Sequence, residues 1–189
     1  MDELRSELEA PHAPPHALLP EIERRSAEDG VPIVSRATGR FLGTLVTAMQ
    51  ANRILEIGTG YGYATLWMAL AQPHAGKIWT MDPNARWTDV ARSYFARAGE
   101  DDNIEVFNTP ALELLENFPQ RNLDVVFVAA RETDSLEYLQ LIVPMLKLSG
   151  LVIFDDCRGM LEFAQGFLRH PQLDATILPF GLGIGARRS

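Results

Sequence analysis

From residue 53 onward, short apolar runs alternate with stretches of helical period, and this alternation limits what the chain can fold into. RILEI, KIWTMD, NIEVFN, LDVVFVA and GLVIFDD read as buried strands. Between and after them, 64–71, 85–98, 111–118, 135–148 and 157–168 read as helices. Strands joined by helices of this length run parallel, so the pattern predicts an α/β fold with helices on both faces of a mostly parallel sheet. Two last strands, near 174–179 and 183–187, flank a glycine-rich turn too short for a crossover helix. They predict an antiparallel hairpin at one edge and bring the sheet to seven strands.

Upstream, residues 2–10 suit a short polar helix, and PHAPPHALLP interrupts it with four prolines in ten residues. Residues 1–20 therefore read as an arm, and 21–189 as the single domain that 189 residues support. A helix over 21–29 can end at Gly30, and Ser35 can cap the next one, where Phe41, Leu42, Leu45, Val46 and Met49 share a face.

Charge and composition narrow the partners. Lys and Arg number 17 and Asp and Glu 25, a net charge of −8 that disfavours nucleic acid and suits a small-molecule or protein partner. The single cysteine, Cys157, permits no internal disulfide, so a reducing, cytoplasmic setting is expected. The charged start MDELRSELEA has no apolar signal core, and no apolar run reaches the roughly 18 residues of a membrane span, so no membrane is expected.

The loop EIGTGYGY closes the first strand and opens a helix. One glycine would serve a tight turn, whereas Gly58, Gly60 and Gly62 at alternate positions let a ligand approach backbone beside free helix N–H groups. A dinucleotide fingerprint needs glycine at the sixth position, which is Tyr63 here. Asp82, at the end of the second strand and 20 residues beyond Gly62, can accept from two vicinal ribose hydroxyls, or cap the next helix.

With E-x-G-x-G-x-G and a downstream acid in place, the chain resembles class I S-adenosylmethionine-dependent methyltransferases. The stretches VSRATGRFLGTLV, DPNARWTDVARSYFARAG, LDVVFVAA, EYLQLIVPMLKLSGLVIFDD and ILPFGLGIGARR narrow the resemblance to O-methyltransferases of the catechol and caffeoyl-CoA type. It implies a Rossmann-like domain that methylates a small molecule. Glu56 begins the motif, and Gly58, Gly60, Gly62 and Tyr63 would line the cofactor's amino-acid end. Asp82 would hold its ribose, and the backbone at Val34 and Ser35 would close over the methionine part. Groups near Ala111 would meet the adenine.

The same resemblance implies a divalent metal such as Mg²⁺, bound by an Asp ending the fourth strand and an Asp-Asn pair ending the fifth, with a nearby Lys as base. Asp155-Asp156 represents the pair, but Ala129 stands at the first ligand and Glu132 at the lysine. Pro110 replaces an acid near the adenine, and Ala64 a serine after the glycine motif. The two lysines, Lys77 and Lys147, sit elsewhere. Asp155 and Asp156 thus either hold a cation, helped by Glu132 or another carboxylate, or cap the following helix at the mouth of an unmetallated pocket, and Arg131 offers a fixed positive charge for them or for an acidic substrate. Besides O-methylation, two alternatives stay open: a non-catalytic protein that binds S-adenosylmethionine or S-adenosylhomocysteine, and a metal-independent methyltransferase on this fold. A homodimer is expected. His12, His16, His74 and His170 form no ligand spacing, Trp67 and Trp79 read as core, Trp87 as core or pocket rim, and Cys157 as a buried thiol.

Overall fold

The computed structural model describes residues 13–130 and 132–188, apart from the side chain of Glu132. The helix expected over 2–10, along with His12 and Arg131, lies outside them. Two helices come first, α1 (Leu18–Asp29) and α2 (Arg36–Met49). Gly30 ends α1 in the left-handed conformation, and Ser35 caps α2 by accepting from the Thr38 N–H at 3.0 Å. α1 takes in Leu18, Leu19 and Pro20 as well, because a proline in the first turn has no helical acceptor to lose.

The alternating segment then gives β1 (Arg53–Ile57), α3 (Tyr63–Ala69), β2 (Lys77–Met81), α4 (Ala85–Ala98) and β3 (Ile104–Phe107). It continues with α5 (Ala111–Leu115), β4 (Leu123–Val128), α6 (Ser135–Ile142), β5 (Leu146–Phe154), α7 (Leu161–Leu168), β6 (Leu173–Ile177) and β7 (Gly183–Arg187). The helix expected over 135–148 stops at Ile142. Pro144 has no N–H for a further helical turn, so the chain passes through a 3-10 turn at Val143–Met145 and enters β5. The helix expected over 157–168 starts only at Leu161, after a turn that buries Cys157.

The seven strands lie in the order β3-β2-β1-β4-β5-β7-β6. All pairs from β3 to β5 are parallel, and β7 runs antiparallel to both β5 and β6, so the hairpin forms as the sequence predicts. Two-residue alternation divides the core. Ile54, Val125 and Phe127 join the cluster under α1 to α4, whereas Leu55, Val126 and Val128 join the one under α5, α6 and α7. Trp67 and Trp79 are both buried in it, and Trp87 packs against its edge. No described helix is long and apolar enough to cross a membrane.

Asp124 ties the amino ends of three central strands together. Its Oδ2 accepts the N–H groups of Asn52 and Arg53 at 2.8 Å each, and its Oδ1 pairs with Lys147 of β5. Burial raises the pKa of this carboxyl, but the Lys147 and backbone hydrogen bonds outweigh it and hold the group below 3.8. A depressed folded pKa contributes stability above the unfolded value and loses it as pH falls through the folded one. Asp124→Asn is expected to cost about 1–3 kcal/mol at pH 7. In urea titrations the difference from wild type should shrink as pH drops below 3.8.

Candidate functional site

The strand order reverses between β1 and β4, where ligands of open α/β sheets gather at the carboxyl edge. Backbone hydrogen bonds continue past the strand ends and align the next residues along this edge. Asp82 N–H bonds the Phe107 carbonyl at 3.1 Å, and Gly58 N–H the Met81 carbonyl at 2.9 Å. Ala129 N–H bonds the Ile57 carbonyl, and Asp155 N–H the Val128 carbonyl, both at 2.8 Å. Asp82, Gly58, Ala129 and Asp155, four positions far apart in sequence, therefore stand in one row.

The three glycines of the loop answer to three different neighbours. A Cβ on Gly58 would lie 2.2 Å from the Ala129 carbonyl oxygen, and one on Gly62 would lie 2.5 Å from the Phe95 ring of α4. Both exclude a side chain because of protein packing, and all three glycines have positive φ, 99°, 52° and 81° at Gly58, Gly60 and Gly62. At Gly60 nothing comes closer than the Pro32 carbonyl at 3.8 Å, so this is the glycine with open space beside it. Sequence reasoning assigns all three to a tight turn and to ligand approach. Packing within the fold accounts for two of them, Gly58 and Gly62.

Glu56 lies under the loop and is fully buried. Its Oε2 accepts from the Thr65 hydroxyl and, at 2.6 Å, from the Thr80 hydroxyl, while Oε1 has no partner among the described residues. Burial drives its pKa up to about 7, with the threonine hydrogen bonds pulling the other way and Asp82 adding to the rise. Asp82 accepts from Gly60 N–H through Oδ2 and from Asn84 N–H through Oδ1, each at 2.9 Å. The cap of α4 is Asn84, and not Asp82. Each oxygen of Asp82 keeps a lone pair for a further donor.

Helix α1 is fastened across the loop. Tyr63 donates to Glu23 Oε1 at 2.6 Å, and the Arg36 guanidinium grips the same carboxylate at 2.8 and 2.5 Å. Tyr61 donates to Asp29 at 2.7 Å with Arg25 over its ring. Burial raises the Glu23 pKa, but the Arg36 and Tyr63 hydrogen bonds prevail and lower it. Burial and the Glu23 contact together raise the Tyr63 hydroxyl. Arg36 directly follows Val34 and Ser35, so the loop and that segment share one anchor. Ala111 is buried at the start of α5, after Pro110.

Past β5 the two acids differ. Asp155 is half-buried with no hydrogen bond to its carboxylate among the described residues; burial, then the Asp156 charge, raise its pKa against a smaller pull from Arg158. Asp156 is exposed and held low by Arg158, which donates through Nε at 2.6 Å and Nη2 at 2.7 Å. Lys147 is committed to Asp124 at the opposite edge, and Lys77 donates to the Asp102 carbonyl. The donor set does not fit the implied metal: Ala129 offers a methyl group, Asp156 is already paired, and no cluster of three or more acids, His or Cys among the described residues could hold an ion. Cys157 is buried and its thiol is pushed up to about 11 by that burial, so it is no nucleophile.

Thr65, Thr80, Glu23, Arg36 and Arg158 were not singled out by sequence reasoning. Only Arg158 carried a visible sign, two residues beyond Asp156. The glycines give a direct check. Gly58→Ala and Gly62→Ala are expected to destabilise the fold by about 3 kcal/mol or more, and Gly60→Ala by only about 1 kcal/mol. Denaturant midpoints measure the difference; equal losses at all three positions would contradict the assignment.

Comparison with known proteins agrees with this geometry. The O-methyltransferase family model matches residues 11–164. The chain is 31% identical over 160 residues to a catechol O-methyltransferase of Mycobacterium tuberculosis, covering 77% of this chain and 73% of that one. It is 28% identical over 172 residues to caffeoyl-CoA O-methyltransferase 1 of Eucalyptus globulus, covering 77% and 70%. Among solved structures, the O-methyltransferase from Bacillus cereus in complex with S-adenosylhomocysteine superposes with a TM-score of 0.82 at 25% identity, over 93% of each chain. The switch-point row, the glycine loop and the sequence match together place this chain in the O-methyltransferase family.

Proposed function

We propose that the chain is an S-adenosylmethionine-dependent methyltransferase acting on an oxygen of a small molecule. The observation that carries this reading is the orphaned Oε1 of Glu56, a fully buried acceptor beneath a glycine loop at the switch point. An acceptor buried without a partner costs stability unless a ligand donor meets it, and the cofactor's ammonium group is such a donor. The remaining lone pairs of Asp82 suit two ribose hydroxyls. Val34, Ser35, Gly58, Gly60, Gly62 and Tyr63 would surround the amino-acid end, and backbone near Ala111 the adenine. The cofactor supplies a methyl group made reactive by a sulfonium. The chain's part is to hold that group and the acceptor oxygen in line, which is catalysis by positioning.

The division into an arm over 1–20 and a domain over 21–189, a homodimer, and a cytoplasmic location belong to the same proposal. Ala129 and the missing base lysine support a second reading, in which cofactor is bound without transfer. Labelled-methyl transfer to an acceptor panel separates the two.

Calorimetric titration with the cofactor tests the first claim. Absence of binding at millimolar cofactor would sink it. A cation beside Glu56 favours the ionised carboxyl, so affinity should rise with pH through about 7 and then level off. Between pH 6 and 8 the gain is expected to be about tenfold. Glu56→Gln should weaken binding about tenfold at pH 8 and flatten the pH profile. A flat wild-type profile would remove Glu56 from the proposed role.

A further inference from the structure

The carboxyl edge between β4 and β5 holds a guanidinium where the family resemblance implies a metal. We propose that Arg158 supplies the fixed positive charge at this edge, that no divalent cation binds there, and that the acceptor is an oxygen acid already ionised at neutral pH. This rests on the methyl-transfer reading above.

The pair is built into the fold. Asp156 is a non-glycine residue with φ 50°, a conformation that L residues adopt at a cost. Its carboxylate takes Nε and Nη2 of Arg158 and, at 3.2 Å, the Arg158 backbone N–H. The turn between β6 and β7 is shaped around the pair. A Cβ on Gly181 would stand 2.9 Å from Arg158 Cγ and 3.0 Å from Asp156 Oδ1, and Gly181 accepts from Cys157 N–H at 2.7 Å.

Among the described residues, a cation at this edge would find one unpaired carboxylate, Asp155, and a guanidinium close by. The pairing is partly exposed and by itself weak. The deciding factors are the methyl group of Ala129 in place of an oxygen donor and the engagement of Asp156 by Arg158, which a divalent ion would have to displace. Together these cut affinity by well over tenfold.

Without a Lewis acid or a placed lysine, the described residues at this edge offer the acceptor one half-committed guanidinium, which favours an acceptor that is already acidic. An acceptor that arrives as an anion needs neither. Its oxygen lone pair forms the new C–O bond, the S–C bond breaks with its electrons going to sulfur, and the sulfonium becomes a thioether. No proton moves, so no base is required. Arg158 commits Nε and Nη2 to Asp156, which leaves Nη1 to pair with such an anion.

The test is Mn²⁺ titration of the full chain saturated with S-adenosylhomocysteine, read by loss of the free-ion paramagnetic resonance signal. Wild type is expected to take up no Mn²⁺ below about millimolar, and stoichiometric uptake with Kd under about 100 µM would overturn the proposal. Arg158→Ala frees Asp156 at an exposed position and should raise Mn²⁺ affinity at least about tenfold. An affinity no higher than wild type would also overturn it. In EDTA, methyl transfer to the acidified ring of 4-nitrocatechol should exceed transfer to catechol at least about tenfold. A tenfold gain with catechol on adding Mg²⁺ would count against the proposal. A protein that does not bind S-adenosylhomocysteine fails the methyl-transfer reading, whereas one that binds it and also takes up Mn²⁺ fails only this inference.

Discussion

The rest of the site depends on a backbone contact. Where β1 and β4 end side by side, Gly58 and the Ala129 carbonyl approach so closely that a single added carbon would lie 2.2 Å from the oxygen. That approach fixes the distance between the loop after β1 and the loop after β4. With the hydrogen bonds that extend from Phe107 across to Asp155, it makes one continuous rim out of five strand ends. The proposed cofactor and acceptor ends of the site are parts of that rim, so their spacing would be set by sheet geometry.

The electrostatics of the rim divide in the same way. On the proposed cofactor side, charges are buried or spoken for by neutral donors: Glu56 by two threonine hydroxyls, and Asp82 by two backbone N–H groups. On the acceptor side, Asp156 meets a full positive charge in Arg158. A neutral donor leaves a carboxylate its charge and thus its use to a cationic ligand, whereas a guanidinium cancels it. Two pairs of acids that look alike in the sequence, Glu56 with Asp82 and Asp155 with Asp156, are therefore suited to opposite tasks.

The strand-helix alternation made the sheet, its helices and its terminal hairpin legible from sequence, because each element buries a face whose period is written in the residues. The boundaries that moved are those where a local rule met a tertiary one. Pro144 ended a helix whose apolar spacing runs on to residue 148, and the turn burying Cys157 delayed the start of α7. The glycine motif stood out in the sequence as a candidate site, but the packing around each glycine did not. Gly62 is required by Phe95, 33 positions away, and no spacing within the loop shows that contact. The partners of Glu56 and Tyr63 were hidden for the same reason: Thr80 and Glu23 come from other elements, and only the fold brings them near.

The lone cysteine has a practical bearing on how the protein can be watched. Its thiol is buried against the start of β7, where a Cβ on Gly183 would stand 2.9 Å from the sulfur, and its ionisation is displaced to about 11. At neutral pH it is therefore both shielded and almost wholly un-ionised, so thiol reagents will register opening of the β5–α7 corner and stay silent to events in the folded site. The natural chain already serves as a quiet background on which a cysteine placed elsewhere, on α1 for instance, can carry a single reporter.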